Sequence, residues 1–283
     1  MTAGYVTLAF GEQRYFELAL NVALSVRLKD PDRPISLIHD GQRDIAHMTP
    51  FFDQVITMPI DPQYKGFANK LRLYPFSPYD KTMFLDGDCL IVKGDMGRHW
   101  LKAEGHAFTV AGEKRINGQW YGQDIKTLID TLEIPYLVQM NSGVFYFEKG
   151  AEAEAFFETA NRYFHNQLNG IANANGEKQY ADELFLGAAM GRLDIPPLKY
   201  TPKEGSIMVT SWGARRYEAD LANDQVFVEK PSDMGLLRRI LPFGTVQHSP
   251  SVMHFIGLKP KASYRQLTNE LRATFGVEPG SVV

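Results

Sequence analysis

The first sixty residues alternate between short apolar runs and one amphipathic segment. Residues 5–8 form a β-favouring run that Gly11 interrupts, and apolar positions then recur at the spacing of a helix face. Asp30-Pro31-Asp32 ends that helix, and apolar runs at residues 35–38 and 55–56 predict the next two strands. The predicted apolar face of the helix consists of Tyr15, Leu18, Ala19, Val22, Ala23 and Val26.

Later segments continue the alternation of strands and helices. Apolar runs at residues 83–85 and 89–92 flank Asp86-Gly87-Asp88, and residues 140–147 form a further predicted strand. Helical spacing is found over residues 69–74, 151–164 and 182–190. This order predicts one continuous α/β domain whose central sheet is mainly parallel and carries helices on both faces. Residues 1–95 are predicted to form the nucleotide-binding half, and residues 96–283 to recognise the acceptor.

Composition excludes several classes of protein. Hydrophobic residues make up 44% of the chain, which is enough for a sizeable core, and the net charge of -3 provides no basic field for nucleic acid. No apolar run approaches the roughly 20 residues that a membrane-spanning helix needs. Cys89 is the only cysteine, so no internal disulfide can form, and the N-terminus lacks the pattern of a signal peptide. We therefore expect a cytoplasmic protein, and the sequence permits a homodimer.

The segment Asp86-Gly87-Asp88 is the main candidate for chemistry, because ligands of open α/β sheets bind at the carboxyl ends of strands. The two carboxylates can point to one side if the backbone stays extended, and Gly87 would permit a tight bend. Their hard oxygens suit Mn²⁺ or Mg²⁺, which can bridge a diphosphate. The alternative is a solvated acidic turn. We assign that alternative to Asp30-Pro31-Asp32, which has the same pattern beside a helix end.

A histidine between apolar neighbours provides a second candidate. A neutral His254 could complete a carboxylate metal site, Gly257 would allow close approach of a phosphate, and Lys259 could neutralise its charge. The alternative is a core histidine that is followed by a solvated lysine loop.

Three further groups of residues have both a functional and a structural interpretation. Asn141-Ser142-Gly143 interrupts an apolar strand, which predicts either a ligand-binding bulge or a turn at the strand entry. Asp182 either acts on a ligand or caps the helix that follows, with Glu183 in its first turn. Lys70 either contacts a ligand or lies on a solvated helix face.

The order of these groups along the chain resembles glycosyltransferase family 8, in its glycogenin-like and galactinol-synthase-like branch. The resemblance extends from about residue 6 to Pro260. It is most specific in the run from Lys70 to Asp88, in the block from Asn141 to Phe145, and in the His254-Phe255-Ile256-Gly257 ending. It implies a GT-A fold, a UDP-sugar donor, Mn²⁺ or Mg²⁺, and transfer of a hexosyl group with retention at the anomeric carbon.

The resemblance also implies roles for individual residues. It makes Asp86, Asp88 and His254 the metal ligands and Asp182 an acidic residue beside the sugar. Its other matches concern the donor: the uridine region comprises Ala9, Phe10 and Tyr15, the phosphate or sugar contacts comprise Lys70, Gly257 and Lys259, and the sugar shelf comprises Asn141, Ser142 and Gly143. The acceptor, which could be a saccharide, polyol, lipid or protein, is not implied.

This chain departs from the family pattern at several positions. Gly87 replaces the usual alanine between the two aspartates, Glu183 replaces a common glutamine, Gly187 replaces an asparagine, and Lys261 follows Pro260 in place of tryptophan. These changes bear on the sugar and the acceptor more than on the metal or nucleotide.

Two other functions remain open on sequence grounds. A sugar nucleotidyltransferase would carry a glycine- and lysine-rich loop after the first strand, which residues 9–14 do not provide. A non-catalytic nucleotide-sugar-binding module would fit the altered Glu183 and Gly187. In the catalytic interpretation, Asp182 could be a nucleophile, orient a substrate or stabilise positive charge.

Overall fold

The computed structural model describes residues 1–167, 181–201, 203–231 and 244–279. Its strands are β1 (Ala3–Ala9), β2 (Ile35–His39), β3 (Gln54–Thr57), β4 (Lys81–Leu85), β5 (Cys89–Ile91), β6 (Phe108–Arg115), β7 (Gln119–Trp120), β8 (Gln123–Asp124), β9 (Leu137–Glu148), β10 (Met208–Thr210), β11 (Arg216–Asp220), β12 (Gln225–Pro231), β13 (Thr245–His248) and β14 (Val252–His254). Its α-helices are α1 (Gln13–Lys29), α2 (Leu73–Phe76), α3 (Met96–Ala103), α4 (Ile125–Leu132), α5 (Ala151–Arg162), α6 (Asp182–Arg192) and α7 (Lys261–Thr274). Short 3-10 segments cover Thr49–Phe51, Gly66–Arg72 and Ile256–Leu258, and a π-helical turn covers Tyr163–Gln167.

A six-stranded sheet in the order β3-β2-β1-β4-β9-β6 forms the centre of the molecule. Strands β1 to β4 pair in parallel, as the alternation of strands and helices predicted. Strand β9 runs antiparallel to both of its neighbours, β4 and β6. The reversal places the first half of β9 beside the carboxyl end of β4, where Leu85 lies opposite Val144.

Both faces of this sheet are covered, because successive side chains of a strand point to opposite faces. Tyr5 and Met83 belong to one buried cluster, which also contains apolar residues of α1 and α7. Val6 and Phe84 belong to a second cluster, which contains those of α5 and α6. The prediction of helices on both faces is confirmed.

Two glycines bring α6 directly against β9. A methyl group on Gly187 would lie 2.3 Å from the Val138 carbonyl oxygen, and one on Gly191 would lie 1.9 Å from that of Tyr136. Neither position has room for a larger residue, so the helix axis can approach the strand backbone closely. This contact places the first residues of α6 beside the polar segment of β9.

A smaller sheet, β10-β14-β5, brings the end of the chain back to the central sheet. Strand β14 pairs antiparallel with β5, so that His254 lies opposite Cys89. The stretch between Lys199 and Pro250, whose sequence pattern is irregular, contains the antiparallel sheet β11-β12-β13. Within the four described ranges, no helix has the length and hydropathy required to cross a membrane.

Most predicted elements are confirmed, with one difference in type. The predicted helix at residues 69–74 is a 3-10 segment, Gly66–Arg72, that continues into α2. Strands from both sides of residue 95 share the central sheet, so the two predicted halves are not separate structural units. Their division by function, into donor and acceptor binding, stays a prediction.

Gly187→Ala is expected to destabilise the fold by about 1–3 kcal/mol, because the added methyl group overpacks the contact between α6 and β9. Gly97→Ala is the matched control. Gly97 is an exposed helical residue in α3 whose added methyl group would meet nothing within 4 Å. That change should be neutral or stabilise by up to about 1 kcal/mol. Urea unfolding of both variants makes the comparison, and equal stability of the two would contradict this account of α6.

Candidate active site

The segment Asp86-Gly87-Asp88 forms a turn at the carboxyl end of β4. The Cys89 N–H donates to the Asp86 carbonyl oxygen at 3.0 Å, and the Asp86 N–H donates to the Gly143 carbonyl oxygen at 2.8 Å. The backbone is therefore not extended between Asp86 and Asp88, and the two carboxylates have different partners. Gly87 does not have a positive φ, so this turn does not require glycine for its conformation.

Asp88 and His254 are neighbours although 166 positions separate them in sequence. The Asp88 Oδ1 lies 2.8 Å from the His254 Nε2, and the side chains are 21% and 7% exposed. Pairing of β5 with β14 brings them together, and the Phe255 N–H donates to the Asp88 carbonyl oxygen at 2.9 Å. Sheet pairing thus creates the contact that the resemblance implied.

The other ring nitrogen of His254 has a partner that fixes its proton. The Asn141 Oδ1 accepts the Gly143 N–H at 3.1 Å and lies 2.8 Å from the His254 Nδ1. Since the backbone N–H identifies that atom of Asn141 as an acceptor, the His254 Nδ1 must carry a hydrogen. In the neutral imidazole, Nε2 then presents a lone pair to the Asp88 carboxylate.

Two lone pairs at 2.8 Å repel each other unless positive charge lies between them. Burial lowers the pKa of His254, but the Asp88 charge and hydrogen bond raise it above its ordinary value. Either a proton or a metal ion can satisfy the pair. His254 is buried and both of its ring nitrogens have partners, which fits the interpretation as a core histidine. The partner of Nε2, however, is the partly exposed carboxylate of Asp88.

Gly143 is required at this position by the imidazole. A methyl group there would lie 2.6 Å from the His254 Nδ1 and 3.0 Å from the Asn141 Oδ1. Asn141, Ser142 and Gly143 lie inside β9, so the interpretation as a turn at the strand entry is wrong. The register between β6 and β9 shifts opposite this segment, as the predicted bulge requires.

Lys70 is buried and contacts acidic residues, so the interpretation as a solvated helix face is wrong. Its Nζ lies 2.7 Å from the Asp86 Oδ2, 3.1 Å from the Ser142 Oγ and 3.5 Å from the Asp182 Oδ2. Burial lowers the pKa of Lys70, but Asp182 and Asp86 raise it well above its usual range. The ammonium group therefore stays charged and lies between two carboxylates.

Asp182 does not cap α6. The N-cap residue is Ala181, and Asp182 is the first helical residue and makes no capping hydrogen bond. Its Oδ2 accepts the Ser142 hydroxyl at 2.7 Å, and only 4% of the residue is exposed. Burial raises the pKa of Asp182, while Lys70 lowers it, and the net direction is upward. Of the two interpretations of Asp182, the helix cap is therefore wrong, and the residue is a buried carboxylate beside Lys70 and Ser142.

Glu183 belongs to the same cluster. Its two carboxylate oxygens accept the Ser142 N–H at 2.9 Å and the Tyr121 hydroxyl at 2.5 Å. Burial and the adjacent Asp182 raise the pKa of Glu183. Ser142 therefore engages both acidic residues of α6 and accepts from Lys70 as well.

The turn after β1 lies at the same edge of the sheet. Ala9 is buried at the end of β1, and Phe10 and Tyr15 are half-buried near the start of α1. Asp40, which follows β2, accepts the Gly11 N–H at 2.6 Å and the Gln42 N–H at 3.0 Å. The strand ends thus bring the predicted uridine region to the same edge as the acidic cluster.

Gly257 and Lys259 lie just beyond His254, in and after a 3-10 segment, and both are exposed. Gly257 has a φ of +61°, and no atom lies within 4 Å of the place a side chain would occupy. This left-handed conformation is one reason for glycine at this position, and close approach of a phosphate would be a second. Their predicted contacts with the donor stay predictions.

A metal ion could be held by Asp88, Cys89 and His254, whose ligand atoms all lie within 4.8 Å of one another. Burial raises the pKa of Cys89, and its thiol donates to the Gly143 carbonyl oxygen at 3.4 Å. The thiol is therefore a poor ligand for a hard ion, whereas the carboxylate and imidazole suit Mn²⁺. Asp86 does not belong to this group, because its carboxylate is bound to Lys70. Its role as a metal ligand stays a prediction.

No known protein family and no curated protein matches the sequence. Among solved structures, the chain is similar to the galactosyltransferase LgtC in complex with donor and acceptor sugar analogs. The TM-score is 0.57 at 13% identity, over 96% of this chain and 95% of that chain. An active-site mutant of LgtC aligns with a TM-score of 0.56 at 13% identity, over 94% and 95% of the two chains.

The chain has a GT-A fold. At this identity the likeness establishes the fold alone, because one fold can host unrelated functions. Within the GT-A fold of this chain, the carboxyl ends of β1, β2 and β4 meet the start of α6 and the end of β14. The polar residues singled out from the sequence lie along that edge.

Sequence reasoning missed two residues of the site and misread a third. Asp40 directly follows a buried strand, the same signal that identified Asp86. Tyr121 lies in a two-residue hairpin loop between β7 and β8, where only Gly122 gives a turn signal. Glu183 is predicted only as a residue of the first helical turn, whereas its side chain binds the backbone of β9.

Glu183→Gln is expected to raise the melting temperature at neutral pH. The carboxylate has a raised pKa, so its ionisation opposes folding and wild-type stability is lost as pH rises through that pKa. Glutamine can still accept the Ser142 N–H and donate to the Tyr121 hydroxyl. The gain should therefore grow between about pH 5 and about pH 8.

Thermal melting across that pH range tests this expectation. Glu158→Gln is the control, because Glu158 is exposed on α5 and should give no gain that grows with pH. A gain for Glu183→Gln that is absent, or that shrinks as pH rises, would contradict the assignment of Glu183 as an unfavourably buried charge.

Proposed function

We propose that this protein is a metal-dependent glycosyltransferase that moves a hexosyl group from a UDP-sugar to an acceptor with retention at the anomeric carbon. One observation carries the proposal. The Nε2 of His254 lies 2.8 Å from an oxygen of the Asp88 carboxylate while its Nδ1 is held by Asn141, at the strand-end edge of a GT-A fold. That arrangement favours a bound cation.

Asp88 and His254 would hold a divalent ion, either Mn²⁺ or Mg²⁺. The Asn141 oxygen supports this role by orienting the imidazole through its second nitrogen, a common arrangement around metal-binding histidines. When bound, the ion supplies Lewis-acid stabilisation of a leaving diphosphate. Asp86 would contribute charge from beside Lys70, and movement of its carboxylate would be needed for direct ligation.

The donor would lie along the strand-end edge. Ala9, Phe10 and Tyr15 would contact the uridine, and Gly257 and Lys259 would approach the diphosphate. Lys259 is exposed on the loop after His254 and therefore has access to such a ligand. Its compact ammonium charge suits phosphate oxygens.

Asp182 would act at the sugar end of the donor. Its carboxylate is held by the Ser142 hydroxyl at 2.7 Å and faces the Lys70 ammonium at 3.5 Å, which fixes its orientation before a substrate binds. Negative charge fixed there would stabilise positive charge that develops at the anomeric carbon. Lys70 would then position Asp86 and Asp182 from its buried site between them. It would not itself need to contact the phosphates.

Asp88→Ala is expected to abolish the Mn²⁺ dependence of UDP-sugar binding while the fold is retained, because the side chain lies in a surface turn. Binding is measured by calorimetry with and without Mn²⁺, and folding by circular dichroism. Asp32→Ala is the matched control, since Asp32 is an exposed aspartate in the Asp30-Pro31-Asp32 segment. Unchanged Mn²⁺-dependent binding by Asp88→Ala would remove this residue from the site.

Asp182→Asn is expected to lower turnover by about a hundredfold or more, the scale of losing one preorganised electrostatic group. Asparagine can still accept the Ser142 hydroxyl, so the variant should fold, and donor binding should fall much less than turnover. Donor hydrolysis with Mn²⁺ and a melting curve provide the measurements. Asp130→Asn, a change at an exposed residue of α4, is the control. Near-native turnover by a folded Asp182→Asn would show that its carboxylate has no role in the reaction.

A further inference from the structure

Two partly exposed aromatic rings contact the buried charges of the site. Phe67 is 47% exposed, and its ring centre lies 5.3 Å from the Lys70 ammonium group. Tyr121 is 39% exposed, and its hydroxyl donates to the buried Glu183 carboxylate. Each of the two rings thus contacts a charged group of one acidic cluster.

Tyr121 is held at its position by the hairpin of β7 and β8. Tyr121 has a φ of +50° and Gly122 a φ of +72°, and together they form the two-residue loop between paired strands. A bulky residue in the left-handed region is uncommon and costs free energy. Positive φ at both central residues is what a two-residue hairpin loop of this type requires, so the turn itself fixes the backbone at Tyr121.

The hairpin is anchored beneath the ring. Trp120 is 8% exposed, and its ring centre lies 5.6 Å from that of Tyr121. A methyl group on Gly187 would meet the Trp120 ring at 3.2 Å, so the indole packs against α6 just below Glu183. The tyrosine ring is thus fixed relative to Asp182 and Glu183 and can act as a rigid contact surface.

Half-exposed rings beside buried carboxylates match the two kinds of surface that a pyranose presents. Its C–H faces pack on aromatic rings, and its hydroxyl groups donate to carboxylates. We propose that Phe67 and Tyr121 form the acceptor subsite and that the acceptor is a saccharide. The proposal rests on the proposed function, since it places an acceptor hydroxyl beside Asp182.

A lipid chain fits this surface less well. Burial of a chain would require a continuous apolar surface, whereas each ring here contacts a charged group, Phe67 the Lys70 ammonium group and Tyr121 the Glu183 carboxylate. Charged groups at the centre and apolar groups at the edge are typical of sites that fix a polar ligand in one orientation.

The experiment uses saturation-transfer NMR with methyl glucosides, methyl galactosides, maltose and cellobiose as probes, in the presence of UDP and Mn²⁺. The best of these saccharides should lose about tenfold in affinity for Tyr121→Ala and for Phe67→Ala, the effect of one lost aromatic contact. Tyr121→Phe should keep most of the affinity, because its ring remains. Leu101→Ala, at an exposed residue of α3, is the control that should change nothing.

Kinetics separate this proposal from the proposed function. If the transferase function holds, wild type hydrolyses UDP-sugar with Mn²⁺, and the ring variants raise the acceptor KM by a larger factor than they change donor hydrolysis. If the ring variants change the acceptor KM and the rate of donor hydrolysis by equal factors, the acceptor subsite is overturned and the transferase function is left intact. The same conclusion follows if Trp212→Ala, at the strongly exposed Trp212, weakens saccharide binding while the two ring variants do not. Failure of every saccharide to bind wild type would overturn the saccharide assignment.

Discussion

The ammonium group of Lys70 is the interaction on which the acidic site depends. Four elements meet at this atom: the 3-10 segment that carries Lys70, the turn after β4 at Asp86, strand β9 at Ser142, and the start of α6 at Asp182. Each carboxylate would be costly to bury alone, because an unpaired charge loses its hydration. The pairing therefore stabilises the arrangement of the acidic residues as well as their charges.

One ammonium group does not balance the negative charge around it. Asp86, Asp182 and Glu183 surround Lys70, and Asp88 lies nearby against His254. The pKa of Asp86 is lowered despite its burial because Lys70 and His254 stabilise its charge, whereas the pKa values of Asp182 and Glu183 are raised. The excess is thus relieved in part by protons. A divalent cation or a substrate with developing positive charge would relieve it in the same way, which links the electrostatics of the cluster to the proposed chemistry.

The sequence predicts the strands and helices well because their patterns are local. Apolar runs locate β1, β2 and β4, and helical spacing locates α1 and α6. The direction of β9 could not be predicted, since an antiparallel buried strand and a parallel one have the same apolar content. Likewise, the contact between Asp88 and His254 depends on pairing of β5 with β14, a long-range event that no local pattern determines.

Predictions about where individual residues lie were accurate when they rested on position in the chain and less accurate when they rested on conformation. Asp86 and Asp88 lie at the carboxyl end of β4, as their place after an apolar run predicts. The tight bend predicted at Gly87 is present, but its backbone conformation does not require glycine, since Gly87 has no positive φ and an added methyl group would only meet Leu18 at 3.4 Å. Lys70 and Asp182 looked like ordinary surface and capping residues because burial of a charge depends on the elements that pack over it.

The fold and the chemistry of this chain depend on different residues, which explains how the fold can be shared at 13% identity. Apolar alternation and the close contact at Gly187 and Gly191 maintain the packing of α6 on β9, and many sequences satisfy those requirements. Gly143 belongs to both sets of residues. It lies in the central sheet, yet the side chain that excludes a larger residue there is His254, whose orientation matters to the proposed metal site. A packing constraint imposed by a polar side chain is therefore better evidence for function here than the similarity of fold.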